Sequence, residues 1–193
     1  MDTSARLVRT ARRSRGLTQR QLADVSHRTQ PEIARLERSG QAVSANLVDV
    51  LIRAARCRLV VLPTDRTPVA EHADAIAEFL LRHHDENRAF RQVIQLADDL
   101  AHEHGAERVA LAVAPPPPTR DIRFDALIEG VTEFRLREEK LPLPKWLKGT
   151  STKLADTWFV DRYTIGDHNV IAATPEQLLR RNIVLDQSEL LSI

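Results

Sequence analysis

Two capping boxes eleven residues apart constrain this chain more than any other feature: Thr18-Gln19-Arg20-Gln21 and Thr29-Gln30-Pro31-Glu32. In each, a threonine precedes by three residues a side chain able to reach back to the threonine's own N–H, so that orphan amides at a helix start are satisfied. Pro31 falls in the first turn, where a missing N–H costs little. Two starts this close allow one helix of about two turns and a tight reversal between them. Leu22 and Ala23 form the buried side of the first helix, which stops near His27, and Ile33 and Leu36 that of the second, which ends at Ser39-Gly40. Upstream, Ser4 is expected to cap a helix with Leu7, Val8 and Ala11 inward and Gly16 at its end. Downstream, Ser44 is expected to cap a fourth helix through Arg56 that buries Leu47, Val48, Leu51, Ala54 and Ala55. Arg58 to Leu62, apolar and β-branched and closed by Pro63, predicts a short strand.

Charge is distributed unevenly over the same boundary. Residues 1–62 hold twelve arginines, no lysine and five acids, a formal +7, which leaves −6 for the rest of a chain whose net charge is +1. A basic head on an acidic body is the distribution expected of a chain whose head meets a polyanion. Thr64 to Thr67 is turn-rich, and the domain boundary is placed there, giving a head of residues 1–63 and a second domain of residues 64–193.

Two short helices with a tight turn, on a basic segment, form a helix-turn-helix candidate. Gly16-Leu-Thr-Gln-Arg-Gln-Leu-Ala-Asp24, followed by Thr29-Gln-Pro-Glu-Ile-Ala-Arg-Leu-Glu-Arg38, resembles the Xre type of the Cro/repressor family over residues 4 to 56. The resemblance implies that Gln19 opens the second helix and donates to a DNA phosphate, and that Ile33 and Leu36 fill the core of the recognition helix. It also implies that Arg12 and Glu37 form a partly buried ion pair tying the first helix to the third. With Thr29 as cap, Gln30, Pro31 and Glu32 stand at the exposed start of the third helix, and Arg35 lies one turn further along the same face. Such positions reach base edges in the major groove: Gln30 suits adenine and Arg35 suits guanine. Glu32 either closes the Thr29 cap or accepts from a cytosine amine, and the spacing favours the cap. Arg13, Arg15, Arg28 and Arg38 are candidates for phosphate contact, and Thr18 belongs to the same interface. The family's turn carries glycine and an apolar residue where this chain has His27-Arg28, so His27 is expected in the left-handed region. Arg28 is then expected to point outward.

The fourth helix and the strand at residues 58–62 resemble HipB-like antitoxin repressors, in which that strand pairs with its copy across a two-fold axis. A lone strand needs its edge covered. Pairing between protomers would set two recognition helices about one turn of DNA apart on a palindromic operator, which implies a homodimer on double-stranded DNA. The other option is pairing with residues 183–185 of the same chain.

In the second domain, Thr67-Pro68 opens a helix through about Arg82. A second helix spans about Glu86 to Glu103, and a third about Ile122 to Glu139. Residues 106–113 read equally as a helical turn or a strand. Pro115 to Pro118 must be extended. Trp158-Phe159, a short helix begun by Thr174-Pro175, and Asn182 to Leu185 complete a mixed α/β tail. The expected fold class is therefore mainly α: a four-helix head with a short strand, then a mixed α/β second domain. Aromatics make up 4% of the chain, yet Trp146, Trp158 and Phe159 cluster here. They are candidate partner-binding anchors, or else they complete a small core. Trp158-Phe159, Thr174-Pro175-Glu176 and Arg181-Asn-Ile-Val-Leu185 are similar to carboxy-terminal regions of actinobacterial Xre antitoxins. This implies a toxin partner of the AbiEii nucleotidyltransferase type.

Several function classes are disfavoured. No apolar run suits a membrane span and arginines occupy the place of a signal peptide's apolar stretch, so a cytoplasmic location is expected. Cys57 is the only cysteine, which excludes an internal disulfide. His83-His84 and His102/His104 have spacings that put their rings on different faces, so no metal site is expected. No activated nucleophile motif, phosphate-cradling loop or paired carboxylate is evident, so neither an enzyme nor a cofactor is expected. The function expected is a DNA-binding repressor, as the antitoxin of a toxin–antitoxin pair that controls its own operon. The alternative is a ligand-responsive regulator of the same family.

Overall fold

The computed structural model describes residues 3–38, 43–59, 63–148 and 152–191. The chain is mainly helical, with one two-stranded sheet among the described residues, and divides into two compact units, Met1–Pro63 and Thr64–Ile193. No described helix is long and apolar enough to cross a membrane.

The first unit is built from α1 (Thr3–Ser14), α2 (Gln19–Val25), α3 (Gln30–Arg38) and α4 (Ala45–Ala54). Its core joins Val8, Leu22, Ile33, Val48, Leu51 and Ile52, with Leu36 and Leu47 half-buried at the margin. Ser4 lies inside α1 rather than capping it, because the helix already includes Thr3. The Thr18 capping box closes as expected: Gln21 N–H donates to Thr18 Oγ1 at 3.2 Å and Thr18 N–H to Gln21 Oε1 at 2.8 Å. Ser44 caps α4 by accepting from Leu47 N–H at 3.3 Å.

One device ends three of these helices. After α1, Leu17 N–H donates to Arg12 O at 3.1 Å and Gly16 N–H to Arg13 O at 3.0 Å, with Gly16 at φ +68°. After α2 the equivalent bonds run from Arg28 to Ala23 and from His27 to Asp24, with His27 at φ +53° as expected. After α4 they run from Cys57 to Ile52 and from Arg56 to Arg53, with Arg56 at φ +55°, so this helix stops short of Arg56. These are Schellman ends, in which a left-handed residue turns two amides back onto the last carbonyls. Arg58 and Leu59 carry no strand, and Val60 to Leu62 lie outside the described residues.

The second unit packs α5 (Val69–Glu78), α6 (Glu86–His102), α7 (Gly105–Ala112) and α8 (Ile122–Glu138) around Ile76, Val93, Leu96, Leu100, Phe124, Leu127 and Val131. The helix expected to reach Arg82 instead widens into a π turn, Phe79–His83, closed by His84 at φ +50°. The stretch that read equally as a helical turn or a strand is helix through Ala112, and Arg108 ties it down. This buried guanidinium donates to the carbonyls of Glu103 (2.7 Å), Arg135 (2.6 Å) and Ala101 (3.2 Å) and so fastens α7 to its neighbours. The tail adds α9 (Lys145–Lys148), α10 (His168–Ala173) and α11 (Glu176–Leu179). Strands β1 (Trp158–Phe159) and β2 (Ile183–Val184) pair in parallel, Trp158 opposite Ile183 and Phe159 opposite Val184, so residues 183–184 have their partner within the unit. Gly130 is required where it stands, because a Cβ there would collide with the Leu178 side chain of α11.

Candidate nucleic-acid interface

Helix α3 presents its start and one long face to solvent. Arg28, Thr29, Gln30, Pro31, Arg35 and Arg38 are exposed, while Ile33, Ala34 and Glu37 turn inward. At the cap, Glu32 Oε2 accepts from Thr29 N–H at 2.8 Å and from Thr29 Oγ1 at 3.0 Å. These two bonds, backbone first, hold the Glu32 carboxyl below the usual carboxylate range, with the charges of Arg28 and Arg35 adding to the effect. Glu32 therefore serves the helix start, and Gln30 and Arg35 are exposed polar groups on the face, with Arg28 before it and Arg38 at its end.

Behind the face lies a chain of polar contacts that starts in the core. Arg12 Nε and Nη2 donate to the two oxygens of Glu37 at 2.7 and 2.8 Å, a bidentate pair with both residues buried. Arg12 Nη1 donates to Leu17 O at 2.7 Å, which ties the same guanidinium to the turn before α2. Glu37 Oε2 also accepts from Gln19 Nε2 at 3.0 Å, and Gln19 Oε1 accepts from Gln30 Nε2 at 3.1 Å. Burial alone would raise the Glu37 carboxyl; the bonds from Arg12 and Gln19 and the charge of Arg12 outweigh it and hold the group below its ordinary value. The Arg12 guanidinium is pushed up in turn, chiefly by its hydrogen bond to Glu37. A bonded series thus runs from the α1–α3 ion pair through the first residue of α2 to the first residue of α3.

Thr18 is exposed and engaged in its cap, and Arg13 is exposed on α1. Arg15 is exposed but donates to Arg56 O at 3.0 Å, which anchors it over the end of α4. Arg38 Nε donates to Ala34 O at 3.1 Å within its own helix. Gln19, expected to serve a phosphate, has its amide committed to Glu37 and Gln30.

In the second unit, Trp146 is half-buried against the core and donates from Nε1 to Ala112 O at 2.9 Å. Trp158 packs on Phe124, ring centroids 5.5 Å apart, and carries the Arg123 guanidinium 5.2 Å above it. Phe159 and Trp158 line a cleft of about 720 Å³ with Phe90, His84, Arg123 and Glu189. Elsewhere His72, unnoticed in the sequence, is buried with Asp99. Gln92 Nε2 donates to its Nδ1 at 2.6 Å, which leaves Nε2–H to donate to Asp99 Oδ2 at 2.9 Å. Asp99 Oδ2 also takes Thr67 N–H at 3.1 Å, so the pair anchors the start of the unit to α6. Burial depresses the His72 pKa, against the opposing pull of Asp99 and Glu71. Among the described residues no group of three or more His, Cys, Asp or Glu is arranged to hold a metal ion.

Set against protein-family models, curated proteins and solved structures, the chain matches none.

Proposed function

We propose that the chain is a sequence-specific DNA-binding repressor that acts as a homodimer on a palindromic operator and is the antitoxin of a toxin–antitoxin pair controlling its own operon. One observation carries the reading: Gln30 and Arg35 stand exposed on α3, and Gln30 is tied through Gln19 to the buried Arg12–Glu37 pair. A base-reading side chain held in place before binding loses less freedom on docking than a free one. Arg13, Arg28 and Arg38 flank that face as phosphate contacts, and Gln30 and Arg35 read adenine and guanine. Under this reading residues 64–193 hold the toxin, and the acidic balance of that unit suits a basic protein partner.

The test is a titration of the full chain with duplex DNA from upstream of its own gene and with a scrambled duplex, at several salt concentrations. The expected result is tighter binding to the upstream duplex, with log K falling linearly with log salt by about 0.9 per phosphate contacted. Equal affinity for both duplexes at every salt concentration overturns sequence-specific repression. The cleft beside Trp158 favours a second reading, a ligand-responsive regulator, because its volume of about 720 Å³ lies in the range of small-molecule sites.

A further inference from the structure

The cleft of the second unit has a lip that its fold does not use. Between Val160 and Asp167 the backbone is held by local bonds: Asp161 Oδ1 accepts from Tyr163 N–H at 2.9 Å, Asp161 O from Thr164 Oγ1 at 2.8 Å, and Thr164 O from Asp167 N–H at 3.0 Å. Gly166, at φ +81°, completes the turn. This well-bonded turn holds Tyr163 99% exposed and Ile165 69% exposed. Tyr163 is the only tyrosine of the chain. Single exposed apolar side chains are ordinary, but these two follow directly on Arg162, the end of the run Trp158 to Arg162 that lines the cleft, and the fold covers neither. Trp158 and Phe159, earlier in the same segment, line the cleft itself.

The charge of the cleft selects what the lip can receive. Its lining includes four carboxylates (Asp85, Glu86, Asp161 and Glu189) and two guanidiniums. Arg123 is held by Asp121 at 2.7 Å and pairs with Glu86 at 2.8 Å, which leaves Asp85, Asp161 and Glu189 against Arg162. A positive, apolar-tipped segment meets both features, whereas an acidic one meets repulsion. Rigidly presented aromatic side chains such as Tyr163 are usual anchors of such contacts.

We propose that this cleft and the Tyr163–Ile165 lip dock a cationic segment of a protein partner whose apolar side chains cover the lip. The proposal deepens the partner-binding reading of residues 64–193 and rests on it. The probe is a short labelled peptide alternating arginine and leucine, titrated against the full chain and compared with peptides alternating glutamate and leucine or arginine and serine. The arginine–leucine peptide is expected to bind at least about tenfold more tightly than either. The double variant Tyr163→Ser/Ile165→Ser should weaken it by about tenfold, equivalent to about 1.4 kcal/mol. Glu189→Lys should weaken it too, and Val113→Ser, at an exposed site outside the cleft, should leave it unchanged. Because the substituted side chains are exposed, unchanged tryptophan-monitored unfolding confirms that each variant folds. Equal affinity for the glutamate peptide, or affinity indifferent to the lip variants, overturns the proposal. If a protein partner is captured equally by wild type and lip variant, the surface is wrong and the antitoxin reading stands. If the peptide docks at the lip but the chain brings no protein from its host, the surface stands and the antitoxin reading falls.

Discussion

Replacing Arg12 with alanine removes two bonds to Glu37 and one to the Leu17 carbonyl, all between 2.7 and 2.8 Å. Glu37, 3% exposed in the wild type, is then left with Gln19 as its surviving donor. Breaking a buried pair from one side costs about 3–5 kcal/mol, because the orphaned charge stays desolvated. The Arg12 side chain keeps 10% of its surface, so the lower end, about 3 kcal/mol, applies. The cost should also depend on pH. In the wild type the Glu37 pKa is depressed, so the stability it contributes is complete above the unfolded value near 4.3 and is lost as pH falls through the folded one. In Arg12→Ala burial dominates and the Glu37 pKa rises, so protonation relieves the orphaned charge and the gap between variant and wild type narrows on acidification. Arg12→Leu/Glu37→Leu should recover most of the loss, since an apolar pair leaves no charge buried. The assay is urea unfolding of the full chain. Both tryptophans, Trp146 and Trp158, lie beyond the head, so fluorescence follows residues 64–193 while circular dichroism follows both units. The head transition in circular dichroism should move by about 3 kcal/mol at pH 7. A shift below about 1 kcal/mol, or a gap that widens on acidification, would refute the reasoning.

Three further outcomes are expected. Arg35→Ala should lower affinity for the operator by about 1–3 kcal/mol more than for random DNA; equal losses in a paired binding titration would remove its base-reading role. His27→Gly should stabilise the head by about 0.5–1 kcal/mol, because glycine relieves the left-handed penalty at φ +53° while loosening the unfolded chain; a lower midpoint in the circular-dichroism transition would contradict this. The depressed pKa of His72 means that the unfolded chain takes its proton first. The stability His72 contributes is therefore complete above about pH 6.5 and declines below it by up to about 1.4 kcal/mol per unit until the folded group titrates. Fluorescence-monitored unfolding of wild type and His72→Gln between pH 7.5 and 5.5 checks this, and parallel profiles for the two proteins would count against it.

What the sequence discloses and what it withholds divide by sequence distance. Thr18, Thr29 and Ser44 satisfy amides within three residues of themselves, so the starts of α2, α3 and α4 could be read along the chain. His27 could be read as left-handed from the resemblance, which implies a glycine-type turn at that position. Arg56, at φ +55°, makes the same turn without glycine as a signal, and α4 ends at Ala54 rather than at Arg56. The second unit depends on contacts that no local pattern announces. His72 meets Asp99 across 27 residues, Arg181 meets Glu133 across 48, and Arg135 donates to Leu190 O across 55. Arg181 is fully buried and reads in sequence as one more surface arginine. The face of α3 was legible because Gln30 is the first residue after the Thr29 cap and Arg35 stands about 200° around the helix from Ile33. The commitment of Gln19 to both Glu37 and Gln30 was not, since it needs three helices in place. Tyr163 and Ile165 did leave a signal: two large apolar residues in a stretch otherwise built of Asp161, Arg162, Thr164, Gly166 and Asp167.

The central claim joins an operator to a partner protein, and one experiment reads both. The tagged full chain is isolated from its host under native conditions, and the protein and DNA retained with it are identified together. The account predicts one protein in stoichiometric amount, together with DNA from upstream of the chain's own gene. Recovery of the chain with neither that DNA nor a stoichiometric protein would contradict it.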